Sequence, residues 1–204
     1  MSSPTLTKDD VKNFIELCEA THEAYIATRR MWGDEKSTEF HHDYPLEMIA
    51  ILHHLNATMI DMFYLKVGRL HDVEKISGRY TLAIDFVVKR GPWDSSTKGK
   101  LEKLQGKMDA LVGRDAALPE DDQRDVRRAR HWLLAHNSLY AYRTLGKNGH
   151  VGVTKDGEWD EYFKNLQEFC QIVHQHFFAL SFKFSDALIH EVDAFKQHLR
   201  QRSN

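Results

Sequence analysis

Residues 158–204 read EWDEYFKNLQEFCQIVHQHFFALSFKFSDALIHEVDAFKQHLRQRSN, without one glycine or proline. Along this stretch Trp159, Phe163, Leu166, Phe169, Val173, Phe177, Leu180, Phe184, Leu188, Val192, Phe195 and Leu199 recur at spacings of three and four. A strand would place its apolar residues at every second position, whereas this period lays them along one stripe of a helix. The stretch therefore predicts one long helix, or two joined by a kink near Ser181.

The rest of the chain points the same way. Its 204 residues include 11 glycines and 4 prolines, well below the roughly 12% combined share of an average protein. Few turn-formers in a long chain mean few turns and long elements. With 42% hydrophobic and 28% charged residues and a net charge of -2, the composition is that of a globular protein, neither disordered nor fibrous. No repeat or low-complexity linker divides it, so one domain over 1–204 is expected. Cys18 and Cys170 are too few for a disulfide scaffold and fit a reducing cytoplasm. The opening residues carry no apolar run that would read as a secretory signal, and nowhere do about 18 uninterrupted apolar residues occur, so no membrane span is expected.

A first helix should be capped by Thr7, with Asp9 and Asp10 near its positive end, and should end near Trp32-Gly33. Its stripe is Val11, Phe14, Ile15, Cys18, His22, Tyr25 and Ile26. After a polar loop from Asp34 to Tyr44, Pro45 suits the first turn of a second helix that should run close to Asp72. The run Thr81 to Val88 fits either a short helix or a strand. With no evident partner strand, helix is the better expectation. A weaker helix through Leu101, Leu104, Met108 and Leu111 follows the Gly91-Pro92 break, and Pro119 with three acids behind it starts another, expected to reach about Gly146. Asn148-Gly149 and Asp156-Gly157 bracket a short irregular excursion near 147–157. The sum is an all-α bundle of about five to seven helices.

Against this background one helix segment is basic. Between Val126 and Asn148 lie Arg127, Arg128, Arg130, Arg143 and Lys147 and no acid, a local positive field suited to phosphates. Arginines that merely snorkel on a solvated face would look the same. Within the segment, Arg130 precedes His136 by six positions, which is about 9 Å along a helix and roughly 120° around it. The long guanidinium can sweep towards the side on which His136 projects. His136 shares a stripe with Val126, Ala129, Leu133 and Tyr140, where a histidine is often just a hydrogen-bonded core residue. The chemistry such a pair suits is metal-free RNA cleavage. Imidazole can deprotonate a 2′-hydroxyl near neutral pH. A guanidinium can hold the charge that grows on the phosphoryl oxygens. The proton for the leaving 5′-oxygen could come from His131 or, across a dimer, from a second copy of His136.

The segment Arg130-His131-Trp132-Leu133-Leu134-Ala135-His136 resembles the signature of the HEPN superfamily, in which Arg is followed by Asn, Asp or His and, after a short gap, by His. Upstream, Arg69-Leu70-His71-Asp72 followed by Thr81-Leu82-Ala83-Ile84 is similar to a segment of the abortive-infection AbiU-like branch. The resemblance implies an all-helical HEPN-like bundle that forms a homodimer and brings two Arg-His pairs into one cleft. It implies a metal-independent endoribonuclease of a toxin, antiphage or RNA-processing system. Arg130 would be the phosphate ligand, His136 the general base or acid, and His131 the adjacent polar helper. Arg124, Arg127, Arg128, Asn137 and Arg143 would contact the RNA, no cofactor would be needed, and a neutralising antitoxin is a possible partner. Some HEPN toxins carry a modified tyrosine two residues after the histidine, but Ser138 stands there in this chain.

Two other classes fit parts of the sequence. A non-catalytic HEPN-like module would bind RNA or protein without cleaving. A metal-carboxylate bundle would need Glu-x-x-His on two helices. Glu19 and His22 supply one such pair, but Glu39 and His42 fall in the expected loop before Pro45. No phosphate-cradling glycine loop, Gly-x-Ser-x-Gly or Cys-x-x-Cys occurs, so nucleotide hydrolysis and serine-hydrolase chemistry have no support. Both cysteines read as core.

Overall fold

Thr7 begins the first helix as its composition requires. Its hydroxyl oxygen accepts from the Asp10 amide at 3.2 Å, and the Asp10 carboxylate accepts from the Thr7 amide at 2.9 Å. This reciprocal cap satisfies two backbone donors that the helix itself cannot. Helix α1 then runs over Lys8–Trp32, with Arg29 and Arg30 in its last turn where the dipole favours cations. The computed structural model describes residues 4–32, 48–112 and 157–201.

The remaining described elements are α2 (Ile49–Leu70), a ribbon of β1 (Lys75–Ile76) and β2 (Arg79–Tyr80), α3 (Ile84–Arg90), α4 (Ser95–Val112), α5 (Glu158–Phe178) and α6 (Ala187–Gln201). The fold is all-α, as expected. Pro45, the Pro119 helix and the excursion at 147–156 lie outside the described residues.

The ambiguous run resolves into helix α3, whose Ile84, Phe86, Val87 and Val88 are all buried. The ribbon ahead of it was not anticipated. Ser77 at φ 49° and Gly78 at φ 83° both turn left-handed, the backbone that a two-residue hairpin of this hand demands. Lys75 pairs with Tyr80 and Ile76 with Arg79. Asp94 caps α4, accepting from the Ser96 and Thr97 amides at 2.9 Å each. The Thr97 hydroxyl, which donates to the same carboxylate at 2.6 Å, and then those amides hold the Asp94 carboxyl below its ordinary range.

The long C-terminal stripe forms two helices. Helix α5 stops at Ala179, which takes a left-handed φ of 57° while its amide donates to the Gln175 carbonyl at 2.9 Å. Such a residue ends a helix by turning the chain away. An extended segment then leads to α6. Leu180 in that segment is exposed, as is Phe195 on α6, whereas Phe169, Val173 and Phe184 are buried.

The chain divides into two compact units, 1–18 with 64–183 and 19–63 with 184–204. In the first, Val11, Phe14, Cys18, Val67, Leu70, Ile84, Val87, Leu101, Met108, Leu166, Phe169, Cys170 and Val173 are buried. Phe14 meets Phe169 at a centroid distance of 5.9 Å. In the second, Met31, Leu52, Val192 and Leu199 form a core flanked by Ala27, Met48, Met59 and Leu188. The His22 ring stacks on Phe184 at 4.5 Å. An ion pair joins Arg30 to Asp193 at 2.8 Å. Helices α1 and α2 contribute to both units. Cys18 and Cys170 are free thiols, fully buried as core.

Candidate functional site

The segment resembling the AbiU-like branch begins at the end of α2. Leu70 and His71 are completely buried, while Arg69 is exposed. The His71 Nδ1 lies 2.7 Å from Asp109 Oδ1 on α4. Its Nε2 lies 2.8 Å from the hydroxyl of Tyr162 on α5. Burial pushes the Tyr162 hydroxyl well above the ordinary tyrosine range, with Cys18, Asp109 and Cys170 adding to the shift. Tyr162 is therefore a phenol that can donate to Nε2, and Nδ1–H donates to the carboxylate. Each of the three polar groups thereby has a partner within the trio, which ties α2, α4 and α5 together.

The second half of the resemblance packs against the first. The Thr81 hydroxyl donates to the Val73 carbonyl, and the Thr81 amide donates to the Glu74 carbonyl at 2.9 Å. Asp85, also buried, accepts from the Glu74 amide and from Lys89 Nζ, both at 3.0 Å. Arg90 clasps Glu74 through two hydrogen bonds of 3.1 and 2.9 Å. Those bonds raise the guanidinium further above its already high range. Val73 and Glu74, which directly follow the first matched stretch, are thus held by hydrogen bonds against Thr81 at the start of the second and against Asp85 and Arg90 beyond it. A fully buried His71 is out of reach of a substrate, so it acts as a brace rather than as a catalyst.

Sequence reasoning passed over Asp109 and Tyr162. A signal was present: Asp109 directly follows the buried Met108 of α4, where an acid needs a partner. Tyr162 sits between two apolar stripe residues of α5.

The residues expected to act on RNA, Arg130, His131 and His136, lie outside the described residues. So do Arg124, Arg127, Arg128, Asn137 and Arg143. Of the metal-bundle candidates, Glu19 and His22 are described. Burial lowers the His22 pKa from 6.5, with Asp186 opposing that shift. Among the described residues no group of three or more His, Cys, Asp or Glu side chains is placed to hold a metal ion. No described helix is long and apolar enough to cross a membrane.

The helical architecture and the two adjoining motif stretches define a HEPN-like module. A family model described as AbiU2 (HEPN_AbiU2) matches residues 11–197, and the chain belongs to that family. Comparisons with curated proteins and with solved structures gave no significant match.

Proposed function

We propose that this protein is a metal-independent endoribonuclease of an abortive-infection or toxin system, acting on RNA in the cytoplasm as a homodimer. The observation that carries this reading is the family match over residues 11–197, which includes the motif from Arg130 to His136. Arg130 would bind the scissile phosphate and stabilise charge in the transition state. His136 would take the 2′-hydroxyl proton, and His131 or the second subunit's His136 would protonate the leaving 5′-oxygen. Atoms balance without hydrolysis in the first step: the 2′-oxygen–phosphorus bond forms as the phosphorus–5′-oxygen bond breaks, leaving a cyclic phosphate.

The test is cleavage of a mixed RNA substrate in EDTA by the parent, Arg130→Ala and His136→Ala chains. Cleavage by the parent and a loss of at least about 100-fold in each variant is expected, the scale on which single oxyanion donors act. Equal rates in all three chains would overturn the assignment of roles. A parent chain that cuts no RNA while still binding it would make the non-catalytic module the correct description.

A further inference from the structure

Helices α4 and α5 of the first unit enclose an open groove of about 560 Å³. Lys100, Lys103 and Lys107 form one wall. Their spacing of three and four places them on one face of α4, spread over about 10 Å of helix axis. All three are exposed. Lys107 Nζ lies 3.4 Å from the Asn165 side-chain oxygen, a contact with a neutral group. Among the described residues neither Lys100 nor Lys103 forms an ion pair, although Lys98 beside them approaches Glu102 at 3.9 Å. The opposite wall carries Glu168, Gln175 and His176, and Leu104 and Ile172 also line the groove. Three ammonium groups against one carboxylate leave the groove positive in a chain whose net charge is -2.

We propose that this groove binds the phosphodiester backbone of single-stranded RNA through residues other than Arg130 and His136. Three features favour that ligand. The positive groups are arrayed in a line along the groove, which suits a chain of phosphates better than one compact anion. Lysine neutralises phosphates without demanding a fixed geometry, as a sequence-independent track requires. At one end the exposed His176 ring packs edge-on against Trp93 at 4.8 Å, giving a flat-sided platform of the kind on which a base can stack. Glu168 directs the backbone towards the lysine wall. The choice of RNA rests on the ribonuclease reading, whereas the phosphate chemistry rests on the groove alone.

The experiment measures binding of a labelled single-stranded RNA by fluorescence anisotropy between 50 and 300 mM salt, values taken as roughly spanning the sensitive range. Every chain carries Arg130→Ala to suppress cleavage. The test chain adds Lys100→Gln, Lys103→Gln and Lys107→Gln, and a control adds Lys12→Gln, an exposed lysine that pairs with Asp9 and does not line the groove. Circular dichroism confirms that each chain is folded. Three lost phosphate contacts should lower the slope of log K against log salt by about 2 and weaken binding at low salt by about tenfold or more. The control should match the parent. An unchanged slope in the triple variant overturns the proposal. So does a variant that loses binding to phosphatidylserine vesicles or to free inorganic phosphate while its RNA binding stays intact. The two failures are distinguishable: a parent chain that cuts no RNA sinks the ribonuclease assignment, normal cleavage by Arg130→Ala overturns only the role given to Arg130, and an unchanged salt slope sinks the groove.

Discussion

Replacing His71 with alanine should destabilise the first unit severely. The imidazole is completely buried, 2.7 Å from Asp109 and 2.8 Å from Tyr162. Its removal strands the Tyr162 hydroxyl in a site that is 1% exposed, at about 1–3 kcal/mol for an unsatisfied buried group. The Asp109 side chain keeps 18% exposure, so it rehydrates in part and adds roughly 1 kcal/mol. The space left by the ring adds a cavity contribution of about 1–2 kcal/mol. The sum, about 3–6 kcal/mol, overlaps the usual effect of breaking a buried polar pair. With a urea m-value of roughly 2 kcal/mol/M for a chain of this length, the unfolding midpoint should fall by about 2 M. Urea titration followed by circular dichroism measures it. The companion variant His71→Phe/Asp109→Leu/Tyr162→Phe removes every polar member at once and should recover much of that loss, because no buried group is left unpaired. A midpoint shift under about 0.5 M for His71→Ala, or a triple variant less stable than the single one, would refute the view of the trio as a satisfied network.

Two further outcomes are expected. Burial lowers the His22 pKa from 6.5, so between the folded and unfolded values the unfolded chain binds the extra proton, and stability falls as pH drops below about 6.5. Urea midpoints at a series of pH values should show this slope in the parent and a flatter one in His22→Phe; identical slopes would exclude His22 as its source. At Gly91, an added Cβ would lie 2.1 Å from the Trp93 indole, whose Nε1 donates to the Val87 carbonyl at 2.9 Å. Gly91→Ala should therefore push the indole out, lower stability by about 2 kcal/mol and shift tryptophan emission to the red; an unchanged spectrum and melting temperature would contradict it.

Much of the fold was legible because helices announce themselves locally. The Thr7 cap, the stripe of α1 and the punctuation at Gly91-Pro92 each act over a few residues, and among the described residues α1 and α4 formed where those signals placed them. The hairpin was missed because its cue is only Ser77-Gly78, and two-residue strands carry no periodicity to detect. The break after α5 was legible only as an option. A stripe with a period near 3.6 continues through Ala179, and nothing local forces that residue into a left-handed conformation.

The amino-acid order alone determined that the protein is helical, where several of the described helices lie, which of their faces are apolar, and that the chain belongs to the AbiU2 family. These depend on backbone hydrogen bonding and side-chain periodicity within a few turns. Only the tertiary structure decided that His71, Asp109 and Tyr162 meet, that Thr81 braces Val73, and that three lysines of α4 face a groove rather than open solvent. Those residues are 8 to 91 positions apart or take their meaning from a neighbouring helix. Close packing sets such distances, and no local rule of sequence encodes them.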